Sequence, residues 1–354
     1  MKLPLKHIIG SLTTITCAIA VVTLLAWKTM KPINQKNGFT RSIQNSNLPI
    51  LNIINSEEVI TGIADITANH LYFKLKDPSK LYVTDYNLRG GHYIQLKIPR
   101  SDKLISGTHY FIDSSNVNML SGRLPAVIIT GTDTLSDLIK FPSKQFTRVA
   151  RIGPTSYIFR GFDTTIKTID QIFLKGDPFT RSIQRENNVT NKRGDAGIST
   201  DGLLHYDTKT NLIIYTHFYK SLFFCLDTNL NLVYKANTID TLSSDSSWAG
   251  RSKSNQKNVF NYTNTAPKRL HNYESCVAFG KLYNQSKLKA DNEDNTVSSN
   301  NATIDIYNVK DGKYQGSIYI PHYKDEKIKQ FRVLTDRIVV QYKTSIVTYK
   351  YNAS

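Results

Sequence analysis

His205 and His217 are the two side chains in this sequence best spaced for shared chemistry. They flank a polar stretch, Asp207 to Asn211, that reads as a hairpin turn, so facing strands would bring the imidazoles close. With Asp195 or Asp201 as a third ligand they would make a metal site. As neutral imidazoles they would make ordinary structural hydrogen bonds, and that reading is the stronger one. Just upstream, Asn191-Lys192-Arg193-Gly194-Asp195-Ala196-Gly197 is a glycine-flanked loop carrying both charges. If it opens on a mouth of the fold, Arg193, Asp195, Asp201, His205 and His217 form a candidate set for binding a partner or ligand. A plain connecting turn is the simpler alternative, and Arg193-Gly194-Asp195 matches an adhesion tripeptide only as three letters often do by chance.

Other chemistry is not signalled. There is no G-x-S-x-G turn for a serine nucleophile, no phosphate-cradling glycine motif, and no Asp-rich calcium loop. Asp85, Asp113, Asp227 and Asp311 sit at turns, where carboxylates bond nearby backbone. No catalytic residue, metal or cofactor is assigned. Cys225 and Cys276 both lie in apolar strand-like runs, and no CxxC pair exists. They read as two buried thiols or, in an oxidising compartment, as a disulfide.

The elements that must position these residues begin with a tether. Residues 8–27 form an uncharged apolar run flanked by Lys2 and Lys6 before it and Lys28 and Lys31 after it. At the helical rise such a run spans about 30 Å, the hydrocarbon thickness of a bilayer. A cleaved signal would be shorter and end in a small-x-small site, and lipidation at Cys17 would need a small residue where Thr16 stands. The expectation is an uncleaved signal anchor in a bacterial inner membrane, with a cytoplasmic tail over 1–7 and a linker over 28–46. The domain over 47–354 then lies in the periplasm. Net charge is +17, from 45 basic and 28 acidic side chains, but the basic residues are scattered rather than striped with aromatics. That excludes a nucleic-acid reading and leaves a solvated basic surface or one drawn to anionic lipid and envelope polyanions.

From Leu48 onward, short runs of Ile, Val, Tyr, Phe and Thr alternate with Asp, Asn, Gly or Pro turns, without helical periodicity. Hairpins recur, as at Leu81 to Ile98, Ala126 to Pro142, Leu222 to Ala236 and Ala302 to Pro321. A spacing of about 40–45 residues with four strands per unit is what a β-propeller requires. The expected units are 59–100, 105–142, 146–186, 197–240, 271–321 and 327–351, with Leu48 to Ile54 closing the last sheet. The fold class is thus all-β, a six-bladed propeller-like domain behind one transmembrane helix. Seven blades would require a degenerate blade between Leu242 and Leu270, a polar stretch that otherwise reads as a surface insertion, like Gln285 to Asn301.

The string from Gly197-Ile198-Ser199-Thr200-Asp201-Gly202 through His205-Tyr206-Asp207, Phe224-Cys225-Leu226-Asp227 and Thr238-Ile239-Asp240-Thr241 is the most distinctive part of the chain. Together with Ser275-Cys276-Val277 and Ile304-Asp305-Ile306-Tyr307, it resembles a family of uncharacterised membrane-tethered propeller-like proteins from the envelope of Bacteroidota-type bacteria. That resemblance implies no activity and carries over no catalytic residues. It implies a membrane partner of the DoxX/MauE-like redox type. The function expected is binding or scaffolding, with a propeller face taking a protein, a glycan or another polyanion. The alternative is a propeller hydrolase or lyase with its site at the central channel.

Overall fold

The computed structural model describes residues 5–29, 36–45, 47–98, 107–113, 116–124, 126–131, 137–140, 145–162, 170–190, 193–240, 249–253, 260–264 and 269–353. Pro142, used above to mark a unit, lies outside these residues, as do most of the expected cytoplasmic tail and residues 30–35 and 46 of the linker. The chain divides into two units, Met1–Asn37 and Gly38–Ser354.

The first unit holds helix α1 (Leu5–Thr29). Its window Ile9–Ala26 has a mean hydropathy of 2.1 and none of it is buried within the protein, properties that a membrane span and a signal sequence share. Thr13, Thr14, Thr16 and Thr23 turn their hydroxyls back onto carbonyls one turn earlier, so the polar atoms of the segment are satisfied internally.

The second unit is a six-bladed ring. Strands β1 (Ile43–Asn45) and β2 (Ile50–Asn55) enter first and belong to the last blades. Blade 1 is β3 (Gly62–Ile66), β4 (His70–Lys74), β5 (Lys80–Asp85) and β6 (His92–Gln95). Blade 2 is β7 (Thr108–Ile112), β8 (Val117–Ser121), β9 (Ala126–Thr130) and β10 (Asp137–Lys140). Blade 3 is β11 (Phe146–Arg151), β12 (Tyr157–Phe162), β13 (Gln171–Asp177) and β14 (Ser182–Arg185). Blade 4 is β15 (Gly202–Asp207), β16 (Leu212–His217), β17 (Leu222–Leu226) and β18 (Leu232–Asn237). A two-stranded ribbon follows, β19 (Ala249–Lys253) with β20 (Phe260–Asn264). This ribbon is what the described part of residues 242–270 contains, so no seventh four-stranded blade is found there among the described residues. Blade 5 is β21 (Asn272–Ala278), β22 (Lys281–Ser286), β23 (Asn301–Asn308) and β24 (Tyr314–Pro321), with the short helix α2 (Asn295–Asn300) before β23. Blade 6 is β25 (Gln330–Val333), β26 (Arg337–Gln341) and β27 (Ser345–Lys350), completed on its outer edge by β2.

Each unit expected from the repeat is thus one antiparallel sheet. The physical reason is burial: middle strands such as β17 are buried almost throughout, while outer strands such as β18 face water along one side. Between each pair of neighbouring blades lies a separate apolar layer, for example Phe173 and Tyr215 between blades 3 and 4, and Phe223 with Tyr307 between blades 4 and 5. Cys225 is in that second layer, whereas Cys276 is in the layer between blades 5 and 6. Both thiols are free and buried, so the disulfide does not form. Burial in apolar surroundings pushes each thiol up to about 12, which makes them inert packing residues.

Two N-terminal clasps hold the ring. β2 runs antiparallel to β27, pairing Ile50 with Tyr349, Ile53 with Val347 and Asn55 with Ser345. β1 adds a fifth strand, parallel to β24, on the edge of blade 5. The compact unit therefore begins at Gly38, inside the stretch read as linker, because Arg41 has a fixed place. Its guanidinium grips Asp305 through two bonds of 2.7 and 3.0 Å and Glu293 at 2.7 Å, and also donates to the Leu288 carbonyl. All three side chains are essentially fully buried.

Removing one member of a buried ion network strands the remaining charges, at about 3–5 kcal/mol. Arg41→Ala should therefore lower the unfolding free energy by about that amount in urea titrations. Arg41→Lys, which keeps the charge but not the fork, should fall between the two. An unchanged midpoint in the alanine variant would show that the network contributes nothing.

Candidate functional site

The innermost strands β3, β7, β11, β15, β21 and β25 stand around the axis in ring order, with β25, β3 and β7 in contact in turn and β11, β15, β21 and β25 likewise. Between them is a cavity of about 530 Å³ lined from every blade. Each innermost strand sends one ionisable side chain to it: Asp65, His109, Arg148, His205, Glu274 and Arg332. Lys74 joins them from β4, opposite Gly62 in the register.

The charges are held in place by specific bonds. Asp65 accepts the backbone N–H groups of Ile112 at 2.6 Å and Ile66 at 2.8 Å. Arg148 donates through Nε to the Gly202 carbonyl at 2.8 Å, pairs with Asp201 at 3.2 Å, and lies over the Phe218 ring. Gly202 lets β15 lie close against β16, since a Cβ there would sit 2.2 Å from the Thr216 carbonyl oxygen. Arg332 pairs with Glu274 at 3.4 Å. Lys74 donates its ammonium to the Thr108 carbonyl at 3.0 Å and faces the Tyr110 ring. Among the lining residues three cations face two carboxylates, and Asp201, outside the lining, pairs with one of the cations.

Burial decides the protonation states. His109 and His205 are pushed down to about 3 by loss of water, helped by Lys74 and Arg148 for the first and Arg332 for the second, so both are neutral near pH 7. Lys74 falls to about 8 through burial and the nearby Arg332. Asp65 and Glu274 are raised by burial, although Arg332, Arg148 and Lys74 all oppose this at Glu274. His205 Nε2 contacts Ser275 Oγ at 2.8 Å. Ser275 is fully buried, which gives it no access to a substrate as a nucleophile.

The sequence candidates separate clearly. His205 reaches the cavity, and Asp201 holds Arg148 beside it. His217 does not join them, because the register pairs it with Gly202 while His205 faces Ile214. Side chains alternate along a strand, so the two imidazoles point to opposite sides of blade 4 and cannot share a metal. His217 instead packs against Tyr215 and Phe224. Asp195 is buried and accepts the N–H groups of Gly197 and Ser199, which shapes its own loop. Arg193 is exposed, away from the cavity lining. Among the described residues, no group of three or more His, Cys, Asp or Glu side chains could hold a metal. The turn carboxylates behave as expected at Asp85, Asp227 and Asp311, which bond local backbone, while Asp113 pairs with Arg151.

Sequence reasoning missed Asp65, Lys74, His109, Arg148, Glu274 and Arg332. One signal for five of them was present: the first strand of every unit carries an ionisable residue within its first four positions. Lys74 lies on a second strand and carries no such mark.

The architecture is that of a six-bladed β-propeller. No protein-family model and no curated protein matches the sequence. Among solved structures, a DUF4221-family member from Bacteroides vulgatus superposes with a TM-score of 0.51 at 12% identity, over 90% of this chain and 100% of that one. A luciferin-regenerating enzyme gives 0.51 at 9% identity, over 87% and 96%. A protein of unknown function from Bacteroides thetaiotaomicron gives 0.50 at 9% identity, over 90% and 75%. At these identities the likeness is one of fold.

Burial of neutral histidines has a measurable consequence. His109, His205 and His217 all sit at about 3 in the folded protein, against about 6.5 when unfolded. Between those values the unfolded chain binds more protons, so stability falls as pH drops through that window. The raised carboxyls of Asp65 and Glu274 act in the opposite direction and soften the slope. The thermal midpoint should decrease between about pH 7 and pH 5, less steeply in His217→Asn. A midpoint that rises on acidification, or a slope the variant leaves unaltered, would contradict these assignments.

Proposed function

We propose that this is a membrane-tethered binding or scaffold protein whose propeller receives an acidic group of its ligand or partner in the axial cavity. One observation carries the reading: ionisable side chains from all six blades converge on one space, with an excess of cations. Arg332 and Arg148 are each engaged by a carboxylate, but Lys74 is held by a backbone carbonyl and keeps its charge available. Where burial lowers the local dielectric, a carboxylate or phosphate gains charge-assisted hydrogen bonds that a neutral group does not. Two neutral histidines add nitrogens that can donate or accept and so orient the ligand.

The apolar α1 helix supports anchoring in a membrane, and the basic tail before it supports a periplasmic domain in a bacterial envelope. An envelope protein, of the DoxX/MauE-like membrane type that the resemblance implies, is the partner proposed. A hydrolase or lyase reading draws on the neutral His109 and His205 near Glu274, since a neutral imidazole can accept a proton.

The test is calorimetric titration of the detergent-solubilised full chain with dicarboxylates, sugar acids and their neutral counterparts. Acidic ligands should bind and neutral ones should not. Lys74→Gln, which keeps an N–H donor but removes the charge, should weaken binding about tenfold or more. Equal binding of neutral compounds, or an unaffected variant, would defeat the proposal.

A further inference from the structure

A second cavity, of about 240 Å³, opens at the end of blade 5 where β22 finishes, β23 starts and β24 hands over to blade 6. It uses the stretch 285–301 that interrupts the repeat, and the axial site makes no use of it. Lys287, Lys327 and His322 line it, and no carboxylate does. These groups are close enough to repel: each lysine lowers the proton affinity of His322, and Lys327 lowers that of Lys287, beside the larger effect of burial. Asp325 acts on His322 in the opposite direction but lies outside the lining. Lys287 is steadied over the Tyr273 ring at 4.1 Å, and His322 by its backbone N–H on the Asn300 carbonyl. The cations are thus gathered by the fold without a counter-charge in the cavity wall.

The floor adds an independent sign. Gln285 is 3% exposed, lines the cavity, and has its Oε1 buried without a hydrogen-bond partner. Buried polar atoms are satisfied in nearly all folded proteins, so an orphan in a cavity wall marks where a ligand atom or water belongs. Three of the lining hydroxyls already donate elsewhere: Ser286 to Leu288, Ser299 to Thr296 and Thr303 to Glu293. Charge from Lys287 and Lys327 is then the main means of recognition, with a hydroxyl of the ligand facing Gln285.

We infer that this cavity is a second ligand site, for the phosphate group of a small soluble molecule, with Lys287 and Lys327 on its oxygens and a P–OH or sugar hydroxyl donating to Gln285. It shares no lining residue with the axial site, so either can fail without the other. A phosphate offers two charges and several acceptor oxygens to two ammonium groups, which is the pairing lysines make well.

The probes are inorganic phosphate and a sugar phosphate, titrated calorimetrically into the full chain in neutral detergent. The His322 ring resonance, followed by histidine-selective labelling, reports the location. Both probes should bind, shift His322, and lose affinity about tenfold or more in K287Q/K327Q. Because both lysines are at the exposed rim, that variant should keep the thermal midpoint of the parent. If it does not, Lys327→Gln alone should show the same loss in part. Lys74→Gln should leave phosphate binding here intact. No binding, binding that spares His322, unaltered affinity in both lysine variants, or binding only to vesicles of phosphatidylglycerol would each overturn the assignment.

Discussion

The pairing of β2 with β27 is the constraint on which the rest of this structure depends. Five blades are built from contiguous chain, but the sixth lacks an outer strand until residues 50–55 supply it. A ring of twisted sheets has no stable open form of the same shape, since an unclosed end would expose the apolar layer between its first and last blades. Here that layer includes Ile63 and Phe73 from blade 1 with Val339 and Ile346 from blade 6. Closure is therefore a contact between the two ends of the domain in sequence, secured by backbone hydrogen bonds. The second clasp reinforces it: β1 rides on blade 5, and Arg41 fixes the approach by its buried bonds to Asp305 and Glu293.

Closure creates the axis, and the axis creates the electrostatics. Six side chains that are far apart in sequence come to share one cavity because each lies on the first strand of its blade. None of them would have unusual chemistry on a surface strand. Buried together, the imidazoles lose their affinity for protons, Lys74 becomes a weaker base and the carboxyls become weaker acids. Groups tuned in this way by burial and by one another are characteristic of sites that bind or process ligands. Here the tuning rests on the ring, and a loosened ring would return every member to its ordinary behaviour.

Much of this fold was legible in the residues. Alternating β-branched and aromatic runs, with turn residues at regular intervals, located all six sheets, and the closing strand was visible as the apolar run at Leu48 to Ile54 that precedes the first unit. The strap before it was not, because Phe39 and Arg41 look like polar linker until Asp305 and Glu293, more than two hundred residues away, are seen to bury the guanidinium. Of the candidate site, His205 and the supporting role of Asp201 were reachable from the local string. His217 was misleading, since sequence proximity across a turn says nothing about register, and a three-residue offset put it on the other face. The axial set demanded a comparison of the six units with one another, strand by strand, rather than a search for a motif. Buried thiols at Cys225 and Cys276 were legible as apolar residues, while their separation into different inter-blade layers was a matter of topology alone.

Amide hydrogen exchange along β2 and β27 tests the ring most directly. If closure holds the propeller together, the paired amides of residues 52–55 and 345–349 should open only with the whole domain and match the slowest-exchanging amides of the middle strands. Rapid exchange of β2 while blades 1 to 5 stay protected would mean that the sheets persist without their closing strand, and the axial site would lose the foundation given to it here.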